Sequence, residues 1–155
     1  MLAISRLARW VKAPARDVAV VVVSSPALAK TISDELAVAI SDWDQVAHLC
    51  VEDMDGLQAD WLAAGGTGHC VDTATVLLRS IPKRCYLLDL ETGGQVRLAW
   101  LGSVCGHELR CLRLAPELST PALNALDATA SQVREIVDGI RALVKQVLEE
   151  RFVAP

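Results

Sequence analysis

The feature that most constrains this fold is an uninterrupted run of six apolar residues, Val18–Val23. The run is far too short to span a bilayer and is rich in β-branched side chains, so it predicts a strand that is covered on both faces. A Ser-Ser-Pro turn follows, and Pro26 suits the first position of a helix whose apolar residues recur from Leu28 to Ile40. Strand, turn and helix together predict the first half of a βαβ unit, in which ligands bind at the carboxyl end of the strand.

Further strand-like and helix-like segments alternate along the chain. Strands are predicted over 46–51, 84–90, 96–101 and 108–114, and helical segments over 57–64, 71–81 and 122–151. This alternation favours one α/β domain over residues 1–155, with a mainly parallel central sheet and helices on both faces. The apolar stripe of the last helix, 132–151, fits either core packing or a dimer seam. His48 lies inside a strand-like run and is expected to be a core residue.

The N-terminal residues 1–14 have the pattern of an amphipathic helix. Its basic face carries Arg6, Arg9 and Lys12. Two interpretations remain open: the helix packs on the domain with its charges in solvent, or its basic face makes a peripheral contact with an anionic membrane. No signal peptide is evident, and the five cysteines show no C-x-x-C spacing. These features predict a cytoplasmic protein with reduced thiols and no zinc site.

Composition restricts the partners of the chain. The net charge of −4 argues against a general nucleic-acid binder, and the four tryptophans are dispersed rather than arranged as a stacking platform. Hydrophobic residues make up 52% of the chain, which fits either a well-buried sheet or a surface reserved for a partner. We therefore expect a protein partner or a homodimer, and no nucleic acid.

The turn after the first strand has the position of a phosphate-binding loop. Such a loop reads G-x-x-x-x-G-K-[ST], and here Ser24 and Ala29 stand where the two glycines belong. Lys30 and Thr31 are retained. The glycines allow consecutive N–H groups to wrap round a phosphate without Cβ clashes. Their loss predicts weak nucleotide binding or none.

Over residues 17–137 the order of segments resembles that of the ParA/MinD group of P-loop ATPases. The matching phrases are Glu35–Ile40 (ELAVAI), Leu49–Asp55 (LCVEDMD), Tyr86–Asp89 (YLLD) and Leu112–Ser119 (LRLAPELS). The resemblance implies a three-layer P-loop domain whose cofactor would be ATP or ADP with Mg²⁺. Within the group, the Pro-Glu-Leu-Ser phrase is most similar to CpaE/TadZ-type proteins, which help place pilus-assembly machinery.

The resemblance also implies a set of cofactor-binding residues: Ser24, Ser25, Lys30, Thr31, Asp53, Asp55 and Asp89. Lys30 and Thr31 would face the phosphates and Mg²⁺. Asp53 or Asp55 would position water or metal, and Asp89 would be the Walker B acid.

The turn can be aligned with the phosphate loop of the family in two ways. An alignment anchored on Leu36–Val38 moves Ala29 to the lysine position and Lys30 to the threonine position. The loop is short, and the early signature lysine of the family has no counterpart. These departures predict a pseudo-ATPase, that is, a non-catalytic or weakly nucleotide-binding interaction or positioning protein within a larger cytoplasmic assembly. No cofactor is then expected, unless the degenerate loop still binds ATP or ADP with Mg²⁺.

A second motif predicts an enzyme instead. Gly68–Ala74 (GHCVDTA), followed by Ile81–Arg84 (IPKR), resembles the nucleophile helix of transglutaminase-like cysteine hydrolases. A cysteine at a helix N-terminus gains thiolate character from the helix dipole. In this alternative, Cys70 is the nucleophile, His107 is the base and Asp127 orients the base.

Overall fold

The computed structural model of this chain describes residues 4–64, 72–91, 98–114 and 122–153. Its strands are β1 Ala8–Lys12, β2 Val20–Ser24, β3 Val46–Val51, β4 Tyr86–Glu91 and β5 Glu108–Arg113. Its helices are α1 Ile4–Leu7, α2 Lys30–Ile40, α3 Met54–Ala64, α4 Thr73–Leu78, α5 Gly102–Cys105 and α6 Ala122–Val153. A 3₁₀ turn, Ala99–Leu101, leads into α5. Within these ranges, no helix has the length and apolar character needed to cross a membrane.

The five strands form one mixed sheet in the order β1-β3-β2-β4-β5. β2 pairs in parallel with β3 on one side and with β4 on the other, and β4 pairs in parallel with β5. Only the edge pair of β1 with β3 is antiparallel among the described strands. The predicted α/β class with a mainly parallel sheet is therefore confirmed. The chain moves from β2 to β3 and then crosses back to β4, so β2 and β4 flank the switch point where α/β sheets bind ligands.

Alternate side chains of the central strands enter two separate apolar cores. Val20 and Val22 belong to the first core, which α2 and α6 cover. Val21 and Val23 belong to the second core, which α3, α4 and α5 cover on the opposite face of the sheet. Burial on both faces explains why the strand reads as a continuous apolar run rather than as an alternating one. The apolar stripe at 132–151 packs into the first core, so it is core packing.

The predicted N-terminal helix is wrong beyond Leu7. Residues 8–12 form β1, whose backbone pairs with the edge of β3 in an antiparallel register that is interrupted between Trp10 and Lys12. The local helical pattern of this segment is short, and its helix preference is worth only a few tenths of a kcal/mol per residue. Pairing with an open sheet edge satisfies a row of N–H and C=O groups, so tertiary context outweighs that preference.

Two basic side chains of the N-terminal segment contact the rest of the domain, Arg9 at the surface and Lys12 in a half-buried position. Arg9 Nε donates to Glu52 Oε1 at 2.7 Å. Lys12 Nζ donates to the carbonyl oxygens of Ile40 and Trp43, where α2 ends, and so satisfies carbonyl groups that a helix terminus leaves free. A peripheral membrane contact of this segment stays a prediction, and it would have to compete with these contacts.

The predicted strand at 96–101 is wrong in its described part. Ala99–Leu101 form the 3₁₀ turn, and α5 continues from it. Leu98 and Leu101 are both buried, and their spacing of three residues is that of a 3₁₀ turn rather than of a strand. Gly106 ends α5 with φ of 81°, a left-handed conformation that suits glycine. The helix predicted at 122–151 is confirmed as the continuous backbone helix α6.

Candidate functional site

The turn between β2 and α2 is closed on itself. The Leu28 N–H donates to the Ser25 carbonyl oxygen at 3.0 Å, and the Ala27 N–H donates to Ser25 Oγ at 3.3 Å. The side chain of Leu28 enters the first core and is only 5% exposed. No residue of this turn has a positive φ. An αR-αL nest of converging N–H groups therefore does not occur here, and the N–H groups of Ala27 and Leu28 are already bonded within the turn.

The helix after this turn begins at Lys30, whereas the sequence predicts a start at Pro26. Pro26 instead occupies the second position of the turn, where its fixed φ is favourable. The burial of Leu28 holds the turn in place and delays the helix. Ala29 at the N-cap offers no side-chain acceptor, so the first N–H groups of α2 have no side-chain cap. Lys30 and Thr31 are both exposed on this first turn of the helix.

Asp53 caps α3. Its Oδ1 accepts a hydrogen bond of 2.9 Å from the Gly56 N–H. A Cβ on Gly56 would come within 2.3 Å of Asp53 Oδ2, so the Asp53 carboxylate would have to move from its capping position. Asp55 lies in the first turn of the same helix, where a negative charge is favourable to the helix dipole. Both residues thus act at the start of α3, and Asp53 is occupied by its capping contact.

Replacing Asp53 with alanine is expected to lower the free energy of unfolding by about 1 kcal/mol, because the capping acceptor is lost. Asp53→Asn keeps an acceptor in the same position and should lose no more than a few tenths of a kcal/mol. Urea unfolding of the two variants measures the difference. An equal loss in both would show that the negative charge matters and would contradict the capping role.

Ser24 and His48 form a buried pair between β2 and β3. Ser24 Oγ lies 2.7 Å from His48 Nε2, and the two side chains are 2% and 0% exposed. Burial, reinforced by the positive charge of Arg9, lowers the pKa of His48 to about 4, so the imidazole is neutral at pH 7. The predicted core position of His48 is confirmed. Its partner was missed, because contacts between adjacent parallel strands are not visible in the sequence.

The Ser24–His48 pair has the first contact of a catalytic dyad but lacks the rest of one. His48 Nδ1 is buried and has no hydrogen-bond partner among the described residues. Nucleophilic serine sites use a third group at this nitrogen to orient the base and need access for a substrate. Because the pair lacks both an orienting group and substrate access, its role is structural. The hydrogen bond joins the carboxyl end of β2 to β3.

Asp89 is fully buried near the carboxyl end of β4. It pairs in register with Val23 of β2, which places its side chain on the face of the second core. Burial, followed by the adjacent carboxyl group of Glu91, raises the pKa of Asp89 to about 8. Neither oxygen of Asp89 has a hydrogen-bond partner among the described residues. This carboxyl group is an unusual feature, since buried polar groups are nearly always paired.

The structure brings Asp89 together with Glu91 and Cys111. One ligand atom from each of the three side chains lies within 4.8 Å of the others. By contrast, Lys30 and Thr31 belong to α2, which covers the first core on the opposite face of the sheet. The sequence-predicted set therefore divides between the two faces. Glu91 and Cys111 were not named from the sequence. Glu91 could have been found, because Asp89 and Glu91 are two residues apart and therefore point to the same face of a strand.

His107 of the cysteine-hydrolase alternative is held by a main-chain contact. Its Nε2–H donates to the Ile81 carbonyl oxygen at 2.9 Å, and the side chain is buried. Cys70 and the side chain of Asp127 lie outside the described residues. The contact joins the segment before β5 to the end of α4 and so has a structural role of its own.

A scan against models of known protein families finds no match for this chain, and a search of curated proteins finds none either. Its function is therefore inferred from the geometry of the sheet edge and of the helices beside it.

Proposed function

We propose that this chain is a non-catalytic relative of the ParA/MinD-type ATPases that acts as an interaction or positioning module. The observation that carries the proposal is the closed β2–α2 turn, in which a buried Leu28 and a bond back to Ser25 replace the phosphate cradle. The strand order places β2 and β4 on either side of a switch point, as in doubly wound α/β domains in general. A role in a cytoplasmic assembly, of the CpaE/TadZ type, is part of the same proposal.

The other family positions also favour a non-catalytic protein. Phosphoryl transfer requires the lysine, the metal ion and an acidic residue to converge on one phosphate. Here Asp53 is occupied at the start of α3, and Asp89 faces the second core while Lys30 lies on α2 over the first. With Asp53 engaged in its capping contact and Asp89 fully buried, the residues kept from the motif are expected to give no ATP turnover.

A shallow groove beside α2 provides the surface through which such a module would bind. It has a volume of about 420 Å³ and is lined by Asp34, Glu35, Val38, Ala39 and Val133; we call it the α2–α6 groove. Val38 is 76% exposed and presents an apolar side chain to this groove. The floor is apolar, and two carboxylates lie at its rim.

The charge of the α2–α6 groove identifies the kind of partner that fits it. Apolar side chains flanked by lysine or arginine would satisfy both the floor and the rim, as an amphipathic basic segment does. A symmetric dimer through this groove would bring Asp34 and Glu35 of one copy towards the same residues of the other, which is unfavourable. We therefore propose that the groove binds a basic amphipathic segment of a different protein.

Replacing Val38 with lysine is expected to weaken the binding of a designed helical Leu/Lys peptide by at least about tenfold, which corresponds to about 1.4 kcal/mol. The change removes the apolar contact and repels the basic peptide, and lysine is a good helix former, so α2 should persist. Fluorescence anisotropy with a labelled peptide measures the affinity.

Leu62→Lys on α3 is the matched control, since Leu62 is 64% exposed and lies outside the groove. It introduces the same charge and should leave the affinity unchanged. If both variants weakened peptide binding equally, the binding would depend on net charge alone and not on the groove. Sedimentation showing a dimer that only Val38→Lys dissociates would assign the groove to a second copy and contradict the proposal.

A further inference from the structure

We propose that Asp89, Glu91 and Cys111 form a binding site for one thiophilic divalent cation, with Zn²⁺ as the best fit. Asp89 of β4 and Cys111 of β5 are register partners, and Glu91 follows on the same face of β4. The three ligand atoms lie within 4.8 Å of one another. The site is independent of the α2–α6 groove and of the function proposed above.

The buried carboxyl group of Asp89 is a second, separate sign of a ligand. It has no exposed surface, and both of its oxygens lack a hydrogen-bond partner within the described ranges. An unpartnered carboxyl group inside a protein is costly, whereas a bound cation would supply a partner for its oxygens. Because the group faces Glu91 and Cys111, a cation at this point would contact all three side chains.

The chemistry of the donors identifies the class of cation. Mg²⁺ and Ca²⁺ prefer oxygen ligands throughout, whereas a thiolate beside carboxylates favours Zn²⁺. Zinc bonds of about 2.0–2.3 Å in a tetrahedron place ligand atoms about 3.5 Å apart, so small side-chain rotations would close the site. Three protein ligands leave the fourth position open for water or an external ligand. Cys111 is exposed, which provides a route for the ion from solvent.

The charge around the site suits a divalent ion. Arg113 of β5 is the register partner of Glu91, so its positive charge lies beside the cluster. When a divalent cation displaces the protons of Asp89 and Cys111, two carboxylates and a thiolate carry three negative charges, which the cation and the Arg113 guanidinium together neutralise. A neutral cluster is far less costly to hold at the edge of a buried sheet than an uncompensated set of anions.

Titration of the reduced full chain with Co²⁺, followed by absorption, tests the site. One equivalent of Co²⁺ should produce a thiolate-to-cobalt charge-transfer band and the intense visible bands of tetrahedral cobalt. Added Zn²⁺ should displace the Co²⁺ and remove these bands. Cys111→Ser should abolish the charge-transfer band. Asp89→Asn, which keeps the side-chain shape, should weaken the affinity at least about tenfold, because even second-shell partners of metals contribute 10–100-fold.

Cys105→Ser is the matched control, since Cys105 lies on α5 outside the cluster and its replacement should leave the band and the affinity unchanged. A wild-type chain without the band, a band that survives Cys111→Ser, or displacement of Co²⁺ by Mg²⁺ would each overturn the proposal. Circular dichroism confirms that each variant folds. If Asp89→Asn fails to fold, the exposed Cys111→Ser variant still decides the question.

Discussion

Replacing Leu28 with alanine is expected to lower the free energy of unfolding by about 2–4 kcal/mol. Leu28 lies in a turn, where a surface position would be the norm, yet it packs into the first core with Ile32 and Leu36. Truncation would leave a cavity where the turn joins α2. Urea unfolding monitored by tryptophan fluorescence measures the loss.

Lys30→Ala and Thr31→Ala are the controls for this prediction. Both side chains are exposed at the start of the same helix, so each variant should change the free energy of unfolding by less than about 0.5 kcal/mol. Together, the three variants separate a turn that is organised by packing from a turn that is organised by a ligand. A loss on Lys30→Ala as large as that on Leu28→Ala would contradict the structural role assigned to Leu28.

Acidification from pH 7 to pH 4 is expected to destabilise the protein by up to about 3 kcal/mol through His48, since each unit of pKa difference is worth about 1.4 kcal/mol. Burial and the nearby Arg9 lower the pKa of His48 from 6.5 to about 4 in the folded protein. Between these values, the unfolded chain binds a proton that the folded chain does not. The stabilisation is therefore fully present above pH 6.5 and is lost as the pH falls towards 4.

The pH dependence of urea unfolding in wild type and in His48→Gln measures this contribution. The glutamine variant should show a shallower slope between pH 6.5 and 4, because it has no group that titrates at this position. Ser24→Ala is the control: it should lower stability by about 1 kcal/mol at pH 7, because the bond to His48 is lost, but should keep the slope. An unchanged slope in His48→Gln would contradict the burial-induced pKa of His48.

The central sheet was predictable because burial leaves a direct trace in the sequence. Strands that are covered on both faces are largely apolar, and the run at 18–23 and, apart from His48, the run at 46–51 have this character. The helix after β2 was predictable from apolar spacing, with Ile32, Leu36 and Ile40 on the buried side. In these segments the local pattern and the tertiary packing agree.

The errors arise where distant contacts outweigh local preference. Residues 8–12 have a helical pattern but become β1, because the edge of β3 offers hydrogen-bond partners to the backbone. Pro26 suits a helix start but lies in a turn, because burial of Leu28 determines where the chain can begin to coil. The strand edge that pairs with β1 and most of the core that buries Leu28 are formed by residues distant in the sequence.

No zinc site was predicted from the sequence, and only one residue of the candidate metal cluster was named from it. Asp89 was named from the family resemblance, and it lies near the carboxyl end of β4. Glu91 could have been added from its spacing, since i and i+2 on a strand share a face. Cys111 could not, because its position beside Asp89 depends on the register between β4 and β5, and that register is set by packing across the whole sheet.

Isothermal titration calorimetry with Mg-ATP tests the central claim most directly. Because the β2–α2 turn is closed by Leu28 and Ser25, we expect no saturable heat, and so no complex tighter than a Kd of about 1 mM. The same result is expected for Lys30→Ala. Stoichiometric binding of Mg-ATP with a Kd below about 100 μM, lost in Lys30→Ala and kept in Val38→Lys, would show a working phosphate loop and contradict the claim.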